Sequence, residues 1–364
     1  PVARLNSAGF STTTSIATSY NPNVSGGIDS IDIDIETGQL WASGKIYGTG
    51  GTALNGVAHI FSDGTLDTVF NPDIDGLVSS FAIAESSNTI YIGGYFTTIN
   101  VTTNPTNRYH LAALDLTTGA VKSFNAGIEL ESFGVSTLAY DDTNNILFVA
   151  GTFDNVNVNS SPVTRLGLAA FDGTTGTVTN FNPSPGPSVV DIAFDSTNHL
   201  LYTSGYFTSV NSPPVARNRI AAFDTNTTGA ATSFNPDVNG AVMGIDLNAD
   251  ASILFASGEF TSVNMSTTPV ARNNAAAFTT SNGSATSFNP DINGTGVEVE
   301  FNTSDNSVFI GGMFTTINSG TTPINQFGLA SFNPTTGVAT SFRPNLVGIA
   351  FSFSLDEQAN RLYA

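Results

Sequence analysis

Apolar and polar residues alternate along most of the chain in short segments, a pattern that predicts β-strands. Ile192-Ala193-Phe194 ends at Asp195, and a polar turn at 196–199 leads into the apolar segment Leu200–Gly205. No convincing helical period of 3.6 residues accompanies these segments. The alternation therefore predicts an all-β chain built from many short strands.

One signature recurs along the chain, an aromatic residue followed by Asn or Arg and then, with one exception, by Pro. Its seven copies are Tyr20-Asn21-Pro22, Phe70-Asn71-Pro72, Phe124-Asn125-Ala126, Phe181-Asn182-Pro183, Phe234-Asn235-Pro236, Phe288-Asn289-Pro290 and Phe342-Arg343-Pro344. Consecutive aromatic residues are separated by 50 to 57 positions, with a mean near 54. A period of this length that contains only short strands is typical of propeller blades, so the sequence predicts a seven-bladed β-propeller.

Each repeat predicts four antiparallel strands. In one repeat the second strand is Leu200–Gly205, the third is Ile220–Asp224, and the turn Thr228-Gly229 precedes the fourth. Gly recurs where the second strand ends, which indicates a close approach of two backbones. Pairs of Ala in the third strand suit blades that pack face to face.

The two ends of the chain complement each other. Residues 1–22 carry only a third- and fourth-strand pattern, starting with Val2–Asn6, and residues 345–364 carry only a first- and second-strand pattern. We therefore expect 1–364 to be a single propeller whose closing blade combines 1–22 with 345–364, an arrangement that removes exposed sheet edges. Across this closure the signature spacing is 42 rather than about 54 residues, so we expect the chain to be part of a longer exported polypeptide.

These residues resemble a known family. The segment 61–72, Phe-Ser-Asp-Gly-Thr-Leu-Asp-Thr-Val-Phe-Asn-Pro, and the segment 90–100 are similar to the delta-60 repeat of secreted bacterial β-propeller proteins. Its Gly-x-Phe-Thr-x-Val-Asn element returns around Phe207, Phe260 and Phe314, and is lost around 45–48. The resemblance covers essentially the whole chain. It implies an extracellular, adhesin-like surface protein and provides no catalytic residues.

Charge and composition narrow the classes of partner. The chain has 29 acidic and 10 basic residues, a net charge of −19, and no Cys. An acidic chain without a basic cluster is a poor ligand for nucleic acid or for an anionic membrane. No apolar segment approaches the roughly 18 residues needed to span a bilayer, so we expect no membrane insertion in this segment.

Enzyme chemistry has few candidate residues. His59, His110 and His199 fall in different repeats and in different repeat positions, and neither a metal-binding His pair nor a Gly-x-Ser-x-Gly motif occurs. We predict no catalytic residues. An enzyme that assembles its site from scattered loops is the third and least favoured hypothesis.

Repeated charged residues suggest structural roles. Arg108, Arg165, Arg217 and Arg272 each precede a third strand. We expect each guanidinium to fasten a long loop to its blade through carbonyls or through a carboxylate, with anion capture as the alternative.

A minority of acidic residues falls on the predicted inner strands. These are Asp32, Asp191, Asp246, Glu298 and Glu300. We interpret them as the lining of a hydrated acidic channel, with ion binding as the alternative.

The loop after the fourth strand carries Asp-x-Asx-Gly three times. The candidate metal ligands are Asp73, Asp75, Asp237, Asn239, Asp291 and Asn293. Hard oxygens on alternate residues before a Gly suit Ca²⁺, the one cofactor we consider, although the bidentate Glu of a full EF-hand loop is missing. Simple Asx-turns explain the same residues, and we favour them.

Together these features predict a non-catalytic extracellular structural or interaction protein, a rigid module of a cell-surface adhesin, fibre or surface layer. Its partners would be other surface proteins or copies of itself, which contact one face made of the loops 97–107, 154–164, 208–216, 261–271 and 315–325. The alternative is a lectin-like propeller that binds glycans or small ligands. Those loops contain almost no aromatic residues, which disfavours the alternative.

Overall fold

The computed structural model describes residues 8–20, 25–34, 37–47, 56–158, 160–186, 188–344, 346 and 348–364. Within these ranges the chain is all-β: its strands are short and antiparallel, the 3-10 turn Glu85–Ser87 interrupts them, and no α-helix occurs. The predicted fold class is confirmed at this level. By their internal contacts these residues form two compact units, one built mainly from 20–189 with 225–229 and the other from 9–19, 190–224 and 230–364.

The described residues of the first unit form three main sheets and one separate two-stranded ribbon. The sheets are β2 (Ser25–Asp34), β3 (Gln39–Tyr47) and β4 (Val57–Ile60); β5 (Leu77–Ala84), β6 (Thr89–Tyr95) and β9 (Leu111–Asp115); and β10 (Ile128–Asp141), β11 (Ile146–Val156), β12 (Val163–Thr164) and β13 (Leu168–Asp172). The ribbon pairs β7 (Thr98–Ile99) with β8 (Thr106–Asn107). In each main sheet the second strand lies between the first and the third, as the sequence predicts.

The second unit repeats this plan. Its sheets are β14 (Val189–Asp195), β15 (Leu200–Gly205), β18 (Ile220–Asp224) and β19 (Ala230–Ala231); β20 (Ala241–Leu247), β21 (Ile253–Glu259) and β24 (Ala275–Thr279); β25 (Gly296–Asn302), β26 (Ser307–Gly312) and β29 (Leu329–Phe332); and β30 (Ser354–Asp356), β31 (Arg361–Tyr363) and β1 (Gly9–Ser11). Its ribbons are β16 (Ser209–Val210) with β17 (Val215–Ala216), β22 (Ser262–Val263) with β23 (Val270–Ala271), and β27 (Thr316–Ile317) with β28 (Ile324–Asn325).

Strands from both ends of the chain share one of these sheets. Gly9 pairs with Tyr363 and Ser11 with Arg361, so β1 follows β31 in the order that third strands follow second strands elsewhere. The predicted strand Val2–Asn6 and the Asn21-Pro22 step lie outside the described residues.

The fourth strand is shorter than predicted. In most repeats it amounts to a single bridge to the third strand, such as Phe171 to Val178 or Phe278 to Ala285, and only β19 reaches two residues. The full four-stranded sheet was therefore wrong for most repeats. The segment between the Gly turn and the aromatic-Asn-Pro signature is only a few residues long, and Pro cannot donate to a ladder.

The signature's aromatic residue has a constant packing partner, which explains why it recurs. Phe234 lies edge-on against Tyr202 of β15, with ring centroids 5.3 Å apart, and Phe288 meets Phe255 of β21 in the same way at 5.2 Å. Edge-to-face pairs of this kind add stability beyond the burial of their area. Around them, consecutive sheets pack face to face, and one core cluster combines small residues such as Ala222 with larger ones such as Leu254.

The Gly that ends the second strand meets a bulge in the first. Between Val242 and Gly244 the register of β20 against β21 shifts by one residue, opposite Gly258. A Cβ built on Gly258 would lie 2.2 Å from the carbonyl oxygen of Ala241. The predicted close approach of two backbones is confirmed.

Candidate functional site

The second Asx of each Asp-x-Asx-Gly loop acts as a hydrogen-bond acceptor for the start of the next ribbon. Asn293 Oδ1 accepts the amides of Thr315 and Thr316, both at 2.9 Å, and its amide nitrogen donates to Thr315 Oγ1. Asp75 Oδ1 accepts the amides of Thr97 and Thr98 at 2.8 and 3.0 Å. In the third loop, Asn239 Oδ1 accepts the amides of Thr261 and Ser262, both at 3.0 Å.

The first Asp of each loop accepts an amide from the tip of the ribbon that follows, and in two loops it also accepts the side-chain amide of an Asn that precedes the previous third strand. Asp73 Oδ2 accepts the amide and the hydroxyl of Thr102 at 2.7 and 2.6 Å. Asp237 accepts the Ser266 amide at 2.6 Å and the Asn218 side-chain amide at 2.6 Å. Equivalent bonds reach Asp291 from Gly320 and Asn273.

Electrostatics agree with this role. Partial burial works to raise the pKa of Asp75, but the hydrogen bonds from Thr97 and Thr98 outweigh it and hold the pKa below its usual value. The same balance, with bonds from Asn218 and Ser266, lowers the pKa of Asp237. These carboxylates are thus stabilised in their charged form by N–H and O–H donors.

This donor set favours the hydrogen-bonding interpretation of the loops over the Ca²⁺ interpretation. The donors point at the oxygens that a cation would need. Within the described ranges, no group of three or more His, Cys, Asp or Glu side chains has an arrangement that could hold a metal ion. A Ca²⁺ site at these loops stays a prediction without geometric support.

The four repeated Arg residues fasten each ribbon to the outer edge of its sheet. Arg272 donates to the carbonyls of Ala271 and Thr286, at 2.8 and 2.5 Å. Arg165 does the same with Thr164 and Thr179, at 2.9 and 2.6 Å. Arg108 donates in the same way to the carbonyls of Asn107 and Lys122. Arg217 donates to the carbonyls of Ala216 and Thr232.

Carbonyls, and not carboxylates, are therefore the partners of these Arg residues. Asp115 and Asp172, which end third strands, instead accept amides of their own turns, as Thr118 N to Asp115 Oδ1 at 2.9 Å. Of the two alternatives that the sequence left open, the first is confirmed. Each Nη group of these Arg residues donates one hydrogen bond to a carbonyl of the protein.

Acidic residues of the inner strands in the second unit accept backbone amides at the edge of a neighbouring sheet. In the second unit Asp191 Oδ2 accepts the amide of Ile245 at 2.9 Å, and Glu298 Oε2 accepts the amide of Phe353 at 2.6 Å. A third bond joins Glu300 to the amide of Leu355 at 3.2 Å. Each carboxylate thereby pairs an N–H that the inner edge of a sheet would leave open.

Burial of these carboxylates shifts their proton affinity. Desolvation, reinforced by the charge of Asp191, raises the pKa of Asp246 to about 7 although two backbone amides oppose it. Desolvation also raises the pKa of Glu298 well above its usual value. Asp246 and Glu298 therefore hold a proton to higher pH than exposed carboxylates do, and the hydrated acidic channel stays a prediction.

The three His residues occupy separate environments, as the sequence predicts. His59 Nδ1 lies 3.0 Å from Asp67 Oδ2, and the ring stacks on Trp41 with centroids 4.2 Å apart. His110 packs beside Tyr95, with ring centroids 5.7 Å apart, and burial lowers the pKa of His110. His199 takes a left-handed turn conformation, with φ of 54°.

Exposed apolar side chains recur at one repeat position, the x of Gly-x-Phe-Thr. Tyr95 is 59% exposed, Tyr206 is 48% exposed and Met313 is 49% exposed. Beside Tyr95 the first unit has a cavity of about 740 Å³. The loops predicted to form the contact face begin two residues after this position, so the prediction did not include these exposed side chains. The Gly-x-Phe-Thr element marks the position in the sequence, because its Phe is buried and the residue before it is exposed.

Comparison with protein-family models and with curated proteins gave no match to this chain. The resemblance to delta-60 repeats therefore stays a prediction. No helix among the described residues has the length and apolar character needed to cross a membrane.

Proposed function

We propose that this chain is a non-catalytic extracellular interaction module, a seven-bladed β-propeller that serves as a rigid part of a cell-surface adhesin, fibre or surface layer. Seven sheets of three or four strands among the described residues support the blade number. The pairing of β1 with β31 supports closure of the seventh blade by both ends of the chain.

The observation that carries the proposal is the repeated fastening of the loops between second and third strands. Five of these loops form a short ribbon among the described residues, as in β22 with β23. Asn239 holds the start of this ribbon and Arg272 holds its end. Rigid, polar loops suit contact with a partner, because little conformational entropy is lost on binding.

Cryo-EM of the 364-residue chain tests the proposed architecture. We expect a single disc with seven radial sheets. Two separate bodies, or another number of radial sheets, would contradict it.

Labelling of intact source cells with an antibody raised against the chain tests the location. We expect intact cells to be labelled as strongly as permeabilised ones. Labelling that requires permeabilisation would contradict a surface role.

Binding of a glycan or small ligand is a second candidate function. The exposed Tyr95 beside a cavity favours it, because aromatic residues and concave surfaces are common in ligand sites. Binding measurements, described below, test this candidate separately from the scaffold role.

A further inference from the structure

The cavity in the first unit lies between β3 and the sheet of β5 and β6. Its floor is apolar and consists of the buried side chains Ile46, Ile74 and Phe96, and its rim includes the exposed residues Tyr95 and Asp75. The volume of about 740 Å³ falls in the roughly 300–1,000 Å³ range of small-molecule sites.

Tyr95 presents an exposed aromatic ring beside the cavity. The ring of His110 packs beside it, with centroids 5.7 Å apart and the planes inclined by 37°. The phenol makes no hydrogen bond to any described residue. An exposed aromatic ring can stack on an apolar face of a ligand.

Polar acceptors lie on the same rim. Asp75 Oδ2 accepts one hydrogen bond, from Thr97 Oγ1 at 2.6 Å, while Oδ1 accepts two amides. Since a carboxylate oxygen can accept about two bonds, Oδ2 keeps one acceptor position. Thr102 Oγ1, which donates to Asp73, keeps lone pairs of its own.

We propose that this cavity binds a neutral saccharide. A sugar ring offers C–H faces that stack on Tyr95 and hydroxyl donors that suit Asp75 and Thr102. The inference rests on ligand binding, the second candidate function, and not on the scaffold role.

Other ligand classes fit the cavity less well. Asp73 and Asp75 repel anions, and the described lining residues include no Lys or Arg to offset them. A metal cation needs several oxygens that face no donor, whereas Asp75 Oδ1 and Asp73 Oδ2 each already accept two hydrogen bonds. A quaternary ammonium ion prefers a cage of several aromatic rings, whereas Tyr95 is the one exposed ring among the described lining residues.

The chain contains a matched control for Tyr95. Tyr206 occupies the same position of its repeat at the end of its second strand and is similarly exposed, but it does not line this cavity. Tyr206→Ala therefore removes an equivalent surface ring elsewhere. Tyr95→Phe keeps the ring and removes only the hydroxyl.

Isothermal titration of the 364-residue chain tests the site, with maltohexaose, cellohexaose, laminarihexaose and xylohexaose as neutral probes and with sialyllactose and choline in parallel. We expect saturable binding of at least one neutral probe. Tyr95→Ala should weaken it by about tenfold or more, as for a central aromatic contact. Tyr206→Ala and Tyr95→Phe should stay within about threefold of the wild type. Unchanged melting temperatures establish that each variant is folded.

Three results would overturn the inference, and they can be told apart. Equal affinity of Tyr95→Ala and wild type would place saccharide binding elsewhere and leave ligand binding intact. Binding of sialyllactose or choline that depends on Tyr95 would replace the proposed ligand class. Failure of every probe to bind would remove both this site and the second candidate function, without bearing on the scaffold role.

Discussion

The carboxylate of Asp246 accepts a hydrogen bond from the backbone amide of Phe301 at 2.7 Å, so that a side chain of β20 completes the edge of β25. Its other oxygen accepts the amide of Leu247 at 2.8 Å. A buried carboxylate that pairs two amides stabilises the sheet contact, but its charge is costly to desolvate. This balance governs how stability depends on pH.

We expect the free energy of unfolding to fall as pH rises through the weakly acidic range. The pKa of Asp246 is raised by burial from 3.8 to about 7, so the folded state holds a proton that the unfolded state has already released between these values. Because the folded state binds more protons there, stability decreases with rising pH. At about 1.4 kcal/mol per pKa unit the full shift corresponds to about 4 kcal/mol. Asp246 is half-buried rather than fully enclosed, so the measured fall should be smaller.

Urea denaturation between pH 4.5 and 8 measures this slope. In Asp246→Asn the part of the slope that belongs to residue 246 should disappear, because the amide does not titrate. Glu298, whose pKa burial also raises, should keep a residual slope of the same sign. A wild-type stability that rises with pH across this range, or an unchanged slope in the variant, would contradict the assignment.

The pair of hydrogen bonds that each repeated Arg donates to two carbonyls predicts a second effect on stability. Arg272→Met removes two charge-assisted bonds, to the carbonyls of Ala271 and Thr286, and should lower the free energy of unfolding by about 1–3 kcal/mol. Arg272→Lys keeps the charge but cannot bridge two carbonyls in the same way, so it should lose most of the same energy.

Chemical denaturation of the two variants separates the contribution of the paired hydrogen bonds from that of the positive charge. Arg165→Met, at the same repeat position of the first unit, should give a similar loss. Full stability in Arg272→Lys would mean that charge alone matters at this position.

Much of the strand plan could be predicted because its signals are local. The predicted strands Leu200–Gly205 and Ile220–Asp224 match β15 and β18, since alternation, a terminal Gly and a terminal Asp lie within each segment. The ribbons could not be predicted in this way. A ladder of two residues, such as Ser209–Val210 with Val215–Ala216, is too short to leave a periodic pattern.

The partners of charged residues were harder to predict, because they depend on contacts between sheets. Asp246 and Phe301 are 55 positions apart, and nothing near Asp246 in the sequence indicates that its oxygen meets an amide of another sheet. The role of Asn239 as a turn residue could be predicted, since Asp-x-Asn-Gly is a local pattern. The hydrogen bonds that Asn239 accepts from the distant Thr261 and Ser262 could not be predicted from that pattern.

The hydrogen bonds accepted by the Asp-x-Asx-Gly loops predict a third set of effects on stability. Asn293→Ala leaves the amides of Thr315 and Thr316 without their acceptor and should cost about 1–2 kcal/mol, as for a lost helix cap. Asn293→Asp should be tolerated, because Asp75 already performs this role in the first unit. Thermal denaturation measures both, and equal losses in the two variants would contradict the acceptor role.

Calcium should have no effect on these loops if hydrogen bonds explain them. We expect the melting temperature to be the same in EDTA and in millimolar Ca²⁺, because N–H and O–H donors already face Asp75 and Asp73. Differential scanning calorimetry with Asp75→Asn as the matched variant makes the comparison. A Ca²⁺-dependent rise in the wild type that is lost in Asp75→Asn would establish the metal site instead.

The Gly at the end of each second strand gives the last prediction. A Cβ at position 258 would lie 2.2 Å from the Ala241 carbonyl oxygen and 2.9 Å from the Val242 Cα, both backbone atoms that cannot rotate away. Gly258→Ala should therefore force the bulge in β20 to move and should lower the free energy of unfolding by about 1–3 kcal/mol or more, as for an overpacked core.

Gly94→Ala places its Cβ at the same 2.2 Å from the Leu77 carbonyl oxygen and should lower the free energy of unfolding by a similar amount. Gly27→Ala is the control, since no atom of the described residues lies within 4 Å of a Cβ built there, and it should stay within about 0.5 kcal/mol of the wild type. Urea denaturation of the three variants would contradict the close-approach explanation if Gly258→Ala were as stable as Gly27→Ala.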